Sequence, residues 1–324
     1  MIVTVTGGAG YIGGWAAREL LAAGHEVRVL DVLLHPDQEE VASDLEHFGV
    51  RLVRGDIRDS EARRDAFAGA DTVVHLAAIV GDPACAKDPE LSAEVNVEGS
   101  RSVVSDAREL GVGRLIFAST CSNYGRMADP TVPIDEEGQL APVSLYAEQK
   151  VGIERALLDG DFGDLKPTCL RFATVYGAAP RMRFDLTVNE FTRDLWAART
   201  LEVFGEKFWR PYVHVRDAAR GIALVLDTPD EKVAGKVFNV GHSDENYRKL
   251  DLVEIITEQL GRGDVSFVSR DEDPRDYKVS FEKVKDQLGF EPKMRVPDGI
   301  AEIIEALEAQ RFGDPFQPRF SNIS

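Results

Sequence analysis

A strand that passes through closely spaced glycines directly into a helix is the feature that most constrains this chain. Residues 1–6 are apolar and β-branched, as is typical of a buried parallel strand, and residues 11–23 carry apolar residues at helical spacing. Gly7, Gly10 and Gly13 stand at the turn between them. Such a turn brings bare backbone N–H groups and the positive end of a helix close to a pyrophosphate, which side chains would obstruct. The pattern predicts a dinucleotide-binding site.

Asp31 indicates which dinucleotide is bound. It closes the next apolar run, residues 26–30, where a carboxylate can accept hydrogen bonds from the adenosine ribose hydroxyls. A carboxylate there also repels a 2′-phosphate, and the next three residues, 32–34, are apolar and provide no cation. We therefore predict NAD rather than NADP as the cofactor.

Composition excludes several classes of partner. The 324 residues can bury one large core or two fused ones, and 44% hydrophobic with 29% charged residues describe a globular protein. Lys and Arg number 38 against 56 Asp and Glu, giving a net charge of −18, so nucleic acid is not an expected partner. An anionic substrate would need a local cluster of arginines.

Cysteine usage and hydropathy bear on location. The three cysteines, Cys85, Cys121 and Cys169, are few and odd in number, which fits a reducing cytosol, and no pair has metal-ligand spacing. No apolar run approaches the roughly twenty residues that span a bilayer, and the chain enters its first strand at once. We expect a cytoplasmic protein with no membrane partner and no metal.

Strands and helices alternate five times in the first half of the chain. This alternation predicts an α/β fold with a doubly wound parallel sheet, covered on both faces, whose ligands bind at the carboxyl ends of the strands. Thr120 stands at such an end, and Ala77 with Ala78 at another would let the cofactor lie against the backbone. Asp56 has two readings: it reaches the adenine amino group, or it caps the helix that starts near Ser60.

Tyr146 and Lys150 have the spacing of a catalytic pair. Four residues apart on a predicted helix from about 144 to 158, they share one helical face. An ammonium one turn from a phenol would lower the pKa of the tyrosine, so that it can act as a base. Alone, such a pair is a common surface coincidence; downstream of a dinucleotide loop and Thr120, we interpret it as catalytic.

The second half is less regular, and we expect a second domain built from interleaved segments. The predicted NAD-binding domain is 1–173, with 212–243 returning to it. The smaller substrate-binding domain comprises 174–211 and 244–312, and 313–324 is predicted to be an extended tail.

Together these motifs resemble the extended short-chain dehydrogenase/reductase family of nucleotide-sugar epimerases and dehydratases, and the resemblance covers nearly the whole chain. It rests on the order of several short motifs, each weak alone. They are Thr-Gly-Gly-Ala-Gly-Tyr-Ile-Gly at 6–13, Gly-Asp-Ile at 55–57, His-Leu-Ala-Ala at 75–78, Asn-Val-Glu-Gly at 96–99, Tyr-Gly at 124–125, the Tyr146/Lys150 pair, Arg-Phe-Ala-Thr-Val-Tyr-Gly at 171–177 and Arg-Pro-Tyr-Val-His-Val-Arg-Asp at 210–217.

The resemblance implies a Rossmann sheet and roles for the matching residues. Tyr146 would take the proton of a sugar hydroxyl, Thr120 would hydrogen-bond the same oxygen, and Lys150 would hold the nicotinamide ribose. Arg210 and Arg275 match arginines that grip a nucleotide diphosphate, although either could be a surface ion pair. The expected cofactor contacts are Gly7, Gly10, Tyr11, Ile12, Gly13, Asp31, Asp56, Ile57, Leu76, Ala77, Ala78, Asn96, Tyr146 and Lys150. The expected substrate contacts are Cys121, Ser122, Thr174, Asn189, Arg210 and Arg275.

Departures from the family pattern bear on the reaction. Sugar 4,6-dehydratases carry an Asp-Glu pair after the Thr, whereas this chain has Cys121 and Ser122, which disfavours dehydration. The resemblance then implies an NAD-dependent nucleotide-sugar epimerase acting at C4 through a transient keto-sugar. The alternatives are an NAD(P)H-dependent nucleotide-4-keto-sugar reductase, a dehydratase of the same family, and a non-catalytic NAD-binding protein. Cys121 either packs beside the substrate or takes part in acid/base chemistry. The resemblance also implies a homodimer that associates through the helices near 89–110 and 144–158.

Overall fold

A computed structural model describes residues 1–268 and 275–322 of the chain. Arg275 therefore belongs to the described part, and residues 269–274 and 323–324 lie outside it. The strands are β1 (Ile2–Thr6), β2 (Glu26–Asp31), β3 (Arg51–Arg54), β4 (Thr72–His75), β5 (Arg114–Thr120), β6 (Lys166–Phe172), β7 (Thr174–Tyr176), β8 (Thr200–Phe204), β9 (Trp209–His214), β10 (Lys236–Val240), β11 (Asn246–Arg248) and β12 (Asp264–Val268).

Seven of these strands form one parallel sheet. Their order is β10-β6-β5-β4-β1-β2-β3, so the chain winds away from β1 in both directions. The predicted doubly wound α/β sheet is confirmed. The strand order reverses between β1 and β4, and a crevice opens outside the carboxyl ends of strands at such a switch point.

Helices cover both faces of the sheet and form part of a smaller unit. The predicted helix from 89 to 110 is interrupted, because residues Glu94–Gly99 form a π-helix between two α-helices. The α-helices are α1 (Gly13–Ala22), α2 (Gln38–His47), α3 (Ser60–Phe67), α4 (Asp82–Lys87), α5 (Pro89–Ala93), α6 (Ser100–Glu109), α7 (Leu145–Asp159), α8 (Thr187–Trp196), α9 (Val215–Asp227), α10 (Asp230–Val233), α11 (Lys249–Leu260), α12 (Glu282–Leu288) and α13 (Val296–Glu308).

The sheet is buried on both faces, as a parallel sheet requires. Successive residues of a strand point to opposite faces, and β5 illustrates this. Leu115 and Phe117 pack into one core with α3 and α6, while Ile116 between them joins the other core with α1 and α9. The two cores hold the strand ends at the crevice in fixed positions.

A third core belongs to the smaller unit beside the crevice. It contains a three-stranded sheet of β11, β9 and β7, a parallel pair of β12 and β8, and helices α8, α11 and α13. Its buried residues come from several stretches of the second half of the chain. Between these stretches, β10 returns to the large sheet and pairs with β6. The chain thus crosses repeatedly between the two units.

The last described residues do not form the predicted extended tail. Pro318–Phe320 is a turn of 3-10 helix, and Phe320 is buried against the rings of Phe184 and Phe312 at centroid distances of 5.6 and 6.0 Å. The prediction was wrong because these aromatic residues find a hydrophobic surface on the smaller unit. Residues 323 and 324 lie outside the described part of the chain.

No helix in ranges 1–268 and 275–322 combines the length and the apolar character that a membrane crossing requires. All three cysteines are buried and free, and the same ranges contain no cluster of three His, Cys, Asp or Glu side chains suited to a metal ion.

Candidate active site

A cavity of about 520 Å³ lies at the carboxyl ends of the central strands, and the glycine turn forms its floor. Gly7 has a φ of +71°, and a Cβ there would lie 2.8 Å from the backbone nitrogen of Ala77. A Cβ on Gly13 would overlap the carbonyl oxygen of Gly7. The turn is therefore a cradle that only glycine permits, which fits the close approach of a pyrophosphate.

Asp31 ends β2 at the wall of this cavity and is fixed by backbone donors. Its Oδ2 accepts from Ala9 N at 2.9 Å and its Oδ1 from Leu33 N at 2.9 Å, with Gln38 Nε2 at 3.3 Å. Burial raises the pKa of this carboxyl, while the amides of Leu33 and Ala9 and the charge of Arg181 act in the opposite direction. The carboxylate is held at the place that the sequence predicted.

The structure separates the two readings of Asp56. Asp59, not Asp56, caps α3, because its Oδ1 accepts from Glu61 N at 2.9 Å. Asp56 lines the cavity and forms an ion pair with Arg58 at 2.8 Å, which is the largest cause of its lowered pKa. The capping alternative is therefore wrong.

Thr120, Tyr146 and Lys150 all line the same cavity. Ser144 caps the start of α7, accepting from Ala147 N at 3.4 Å, and this fixes the first turn of the helix, which bears Tyr146. Thr120 Oγ1 accepts from Ser122 N at 3.1 Å, which leaves its hydroxyl proton available to donate elsewhere. Lys150 Nζ donates to Ala118 O at 2.9 Å and lies 5.9 Å from the centroid of the Tyr146 ring.

The predicted lowering of the tyrosine pKa by Lys150 is not found in the protein alone. Burial raises the pKa of Tyr146, Cys85 and Asp82 add to this effect, and Arg183 opposes it. Burial also lowers the pKa of Lys150 to about 8. Burial therefore decides the pKa of both side chains in the protein alone, and the Lys150 ammonium donates to Ala118 O in β5.

Four of the predicted substrate contacts also line the cavity: Ser122, Thr174, Arg210 and Arg275. Arg210 donates to Trp209 O at 2.7 Å and its guanidinium carbon lies 5.2 Å from the centroid of the Tyr277 ring. Arg275 forms an ion pair with Asp82 at 3.0 Å across the cavity. This end of the cavity carries the local arginines that an anionic substrate requires in an acidic protein.

Two predicted substrate contacts are wrong. Cys121 is 1% exposed and points away from the cavity, and its Sγ donates to Arg171 O at 3.3 Å. Burial raises its pKa well above the ordinary value, so it is an inert thiol. Asn189 is fully buried; it accepts from Gly177 N and donates to Tyr11 Oη and the carbonyl oxygen of Arg183. Its amide braces the loop after β7 instead of meeting a ligand.

Asn96 lies behind the cavity wall, so the predicted direct cofactor contact is also wrong. Its Oδ1 accepts from Ile79 N at 2.8 Å and its Nδ2 donates to Ile79 O at 3.0 Å and to Gln149 Oε1 at 2.8 Å. The asparagine sits in the π-helix and clamps both backbone groups of a cavity-lining residue. Asn96 therefore holds the cavity wall in position from behind.

The remaining expected cofactor contacts all line the cavity: Gly7, Gly10, Tyr11, Ile12, Gly13, Asp31, Asp56, Ile57, Leu76, Ala77, Ala78, Tyr146 and Lys150.

Several lining residues were not predicted as contacts. Arg181 and Arg183 follow β7, and Lys249 begins α11. The only sequence signal for the arginines was the need for local cations in a chain of net charge −18. Tyr277, buried beneath Arg210, gave no signal.

A buried polar network supports the end of β5 from behind. Arg171 pairs with Glu154 at 2.6 Å, and Glu154 Oε2 accepts from Ser119 Oγ at 2.5 Å. Arg171 also donates to Tyr124 Oη at 2.8 Å, and Tyr124 donates to Asn239 Oδ1 at 2.8 Å. The network links β5, α7, β6 and β10, and so fixes the distance between Thr120 and the helix that bears Tyr146.

Comparison with known proteins agrees with this geometry. The model of the NAD dependent epimerase/dehydratase family matches residues 3–241. A UDP-glucose 4-epimerase of Lacticaseibacillus casei is 30% identical over 94% of this chain and 95% of its own length.

Two solved structures have the same fold. The UDP-glucose 4-epimerase of Thermus thermophilus in complex with NAD is 30% identical, with a TM-score of 0.81, and covers 95% of this chain and 99% of its own. The dTDP-glucose 4,6-dehydratase of Streptomyces venezuelae, solved with NAD bound, is 28% identical, with a TM-score of 0.87, and covers 98% and 100%.

These comparisons establish the family relationship independently of the site geometry. The same chain carries the glycine cradle, the carboxylate that ends β2 and the Thr120–Tyr146–Lys150 set. This chain belongs to the NAD dependent epimerase/dehydratase family, within the extended short-chain dehydrogenases/reductases, and is an enzyme of that type with NAD as its cofactor.

Proposed function

We propose that this protein is an NAD-dependent epimerase that inverts C4 of a nucleotide-diphosphate sugar. The observation that carries the proposal is the cavity wall after Thr120. Ser122 faces the cavity and Cys121 is buried behind it. Neither a serine hydroxyl nor a buried thiol can remove a carbon-bound proton at neutral pH, so oxidation of the sugar is supported without elimination of water.

Each polar group at this place has a role that its contacts favour. Thr120 Oγ1 already accepts from Ser122 N, so its hydroxyl proton is available to donate to the sugar oxygen. Tyr146 takes the proton of the sugar hydroxyl as the carbinol becomes a ketone, and returns it when the alcohol forms again. NAD, when bound, would supply the acceptor for the hydride of the carbinol carbon and the donor for its return. Lys150, on α7, would hold the nicotinamide ribose.

A charged cofactor ring would also change the protonation of the tyrosine. Burial keeps the pKa of Tyr146 high in the protein alone. A positive charge next to the phenol favours the phenolate and lowers that pKa. An oxidised cofactor bound beside Tyr146 would therefore favour the phenolate, whereas burial alone keeps the phenol protonated.

The cations at the other end of the cavity suit the nucleotide diphosphate. Arg210 and Arg275 present guanidinium groups, which can form bidentate hydrogen bonds with phosphate oxygens. The ion pair between Arg275 and Asp82 would exchange for a pair with phosphate when substrate enters. In this arrangement the diphosphate anchors the substrate, and the sugar can present either face to the cofactor.

The test is to incubate the full-length protein with UDP-, dTDP-, GDP- and CDP-hexoses and to identify products by chromatography and proton NMR. We expect a C4 epimer to form with no net change in reduced nicotinamide. Net oxidation of NADH with a 4-keto-sugar would instead establish a ketoreductase. Loss of water from the substrate would establish a dehydratase. No conversion, with NAD bound, would favour a binding protein.

We further propose that two copies associate through α6 and α7 with the helical segments before α6. Glu98, Arg101 and Arg155 are exposed on these helices and offer charges of both signs to a symmetric partner. Light scattering should give twice the chain mass of 35.7 kDa. A monomer at micromolar concentration would contradict this assembly.

A further inference from the structure

Arg181 is a buried cation at the adenosine end of the cavity. Its side chain lines the cavity and is only 3% exposed. It lies close enough to Asp31 for its charge to act on that carboxyl. Arg181 comes from the loop between β7 and α8, so the smaller unit places a positive charge beside the carboxylate that ends β2.

Asp37 faces this arginine instead of capping the helix that follows it. It directly precedes α2, where an aspartate commonly accepts a hydrogen bond from one of the first N–H groups of the helix. Its side chain makes no such bond. Instead Asp37 Oδ1 lies 3.6 Å from Arg181 Nε, an ionic contact that is longer than a hydrogen bond. With 5% of its surface exposed, Asp37 is buried with the arginine.

The end of the described chain holds the arginine from the other side. Residues 318–322, which we call the C-terminal strap, are attached through Phe320 and through Asn322 N, which donates to Asp185 Oδ2 at 3.0 Å. Asn322 Oδ1 accepts from Arg181 Nη2 at 2.7 Å, and Asn322 itself lines the cavity. Arg181 is thus fixed by two groups that lie 285 positions apart in the sequence.

We propose that Arg181 is a cofactor-positioning residue, and that Asp37 and the C-terminal strap set the preference for NAD over NADP by keeping its guanidinium engaged. The proposal depends on NAD binding and not on which sugar reaction the enzyme performs.

Charge balance explains the selectivity. A 2′-phosphate brings a charge of roughly −1.5 to −2, and at this place it would join the carboxylates of Asp31 and Asp37 around Arg181. One guanidinium cannot compensate all of these anions in a buried setting. NAD brings neutral hydroxyl groups there. If Asp37 loses its charge, Arg181 becomes available for bidentate pairing with the phosphate.

The experiment is calorimetric titration of the full-length protein, after removal of any bound dinucleotide, with NAD⁺ and with NADP⁺. We expect Asp37→Asn to raise the affinity for NADP⁺ relative to NAD⁺ by about tenfold, as one released charge-assisted pair allows. Arg181→Met alone should weaken NAD⁺ binding. In the double variant Asp37→Asn/Arg181→Met, the gain for NADP⁺ should disappear.

Two further variants keep the test decisive. Asp65→Asn removes a carboxylate from an exposed pair with Arg51, far from the cavity, and should leave the NADP⁺/NAD⁺ ratio unchanged. Asn322→Ala removes the hydrogen bond between the strap and Arg181 without changing charge and should speed NAD⁺ dissociation. An unchanged ratio in Asp37→Asn, or a gain that persists in the double variant, would overturn the proposal. Epimerase assays on the wild type are separate, so failure of the proposed function would be recognised independently.

Discussion

The cofactor end and the substrate end of the cavity are built by different means. At the cofactor end, the wall consists largely of backbone: the glycine turn after β1 lies against Ala77 after β4, and parallel strands fix both. At the substrate end, the long charged side chains of Arg210 and Arg275 line the wall, and Arg275 is held by an ion pair with Asp82.

This difference predicts different responses to mutation. A backbone wall has no side chain to move aside, so an added methyl group forces the main chain to shift. A wall of ion pairs exchanges one partner for another at modest cost. A single substitution should therefore weaken ligand binding strongly at the cofactor end and only moderately at the substrate end. Tyr146, where the two ends meet, should be the most sensitive position.

Tyr146→Phe removes the hydroxyl that transfers the proton and should give the largest effect. We expect kcat to fall by about 10³-fold, within the range for loss of a general acid/base, while NAD stays bound. Steady-state rates and the dinucleotide content of the purified protein measure the two quantities. Tyr247→Phe, which removes a hydroxyl bonded to Glu245 outside the cavity, is the matched control. Equal activity of the two variants would refute the proposed role of Tyr146.

Gly13→Ala tests the backbone wall. Because the new Cβ overlaps the carbonyl oxygen of Gly7, we expect about 100-fold weaker NAD binding and a loss of about 1 to 3 kcal/mol in unfolding free energy. Calorimetry and urea denaturation measure these changes. Gly113→Ala is the control, since its Cβ would meet only Asp71 O, at 3.6 Å. If both variants bind NAD normally, the cradle does not constrain the cofactor.

The sequence predicted the cofactor end well because its signals are local. The turn after β1, the acid that ends β2 and the small residues after β4 each occupy a few consecutive positions, and the parallel sheet then brings them together. Cys121 was misplaced because β5 ends at Thr120 and the chain continues as a 3-10 helix over Cys121–Tyr124, where the alternation of strand residues no longer applies. Asn189 could not be placed either, because nothing in α8 indicates which face meets the cavity.

The substrate end was predicted less well because its contacts join distant parts of the chain. Arg275 meets Asp82, and Arg210 lies against the ring of Tyr277. No spacing rule connects such residues. The pKa of Tyr146 was misjudged for a related reason: helical spacing places Lys150 nearby, but burial of both groups depends on the whole fold.

Arg275→Met tests the gradual response of the substrate end. We expect KM for the nucleotide sugar to rise about 10- to 30-fold with kcat nearly unchanged, because loss of one charge-assisted phosphate contact removes about 1.5 to 2 kcal/mol of binding. Arg51→Met, which breaks an exposed pair with Asp65, is the matched control. A large fall in kcat at unchanged KM would place Arg275 in the chemical step instead.

Lys150→Met tests stability separately from activity, because the two should change in opposite directions. Burial lowers the pKa of Lys150 from 10.5 to about 8, so the charged lysine opposes folding below pH 8. This penalty decreases between pH 8 and 10.5, where the unfolded chain binds more protons, and is absent above that range. Methionine removes the penalty but also the hydrogen bond to Ala118 O, so we expect an inactive variant more stable by about 2 kcal/mol at pH 7.

Urea denaturation at pH 7 and pH 10 checks this prediction, since the difference in unfolding free energy between Lys150→Met and the wild type should shrink at the higher pH. Lys166→Met is the control: an exposed hydrogen bond with Asp230 raises the pKa of that lysine, so its removal should give no gain. A stability gain for Lys150→Met that does not depend on pH would mean that apolar packing, and not the buried charge, separates the two proteins. The lower stability of the wild type would then not come from the buried ammonium of Lys150.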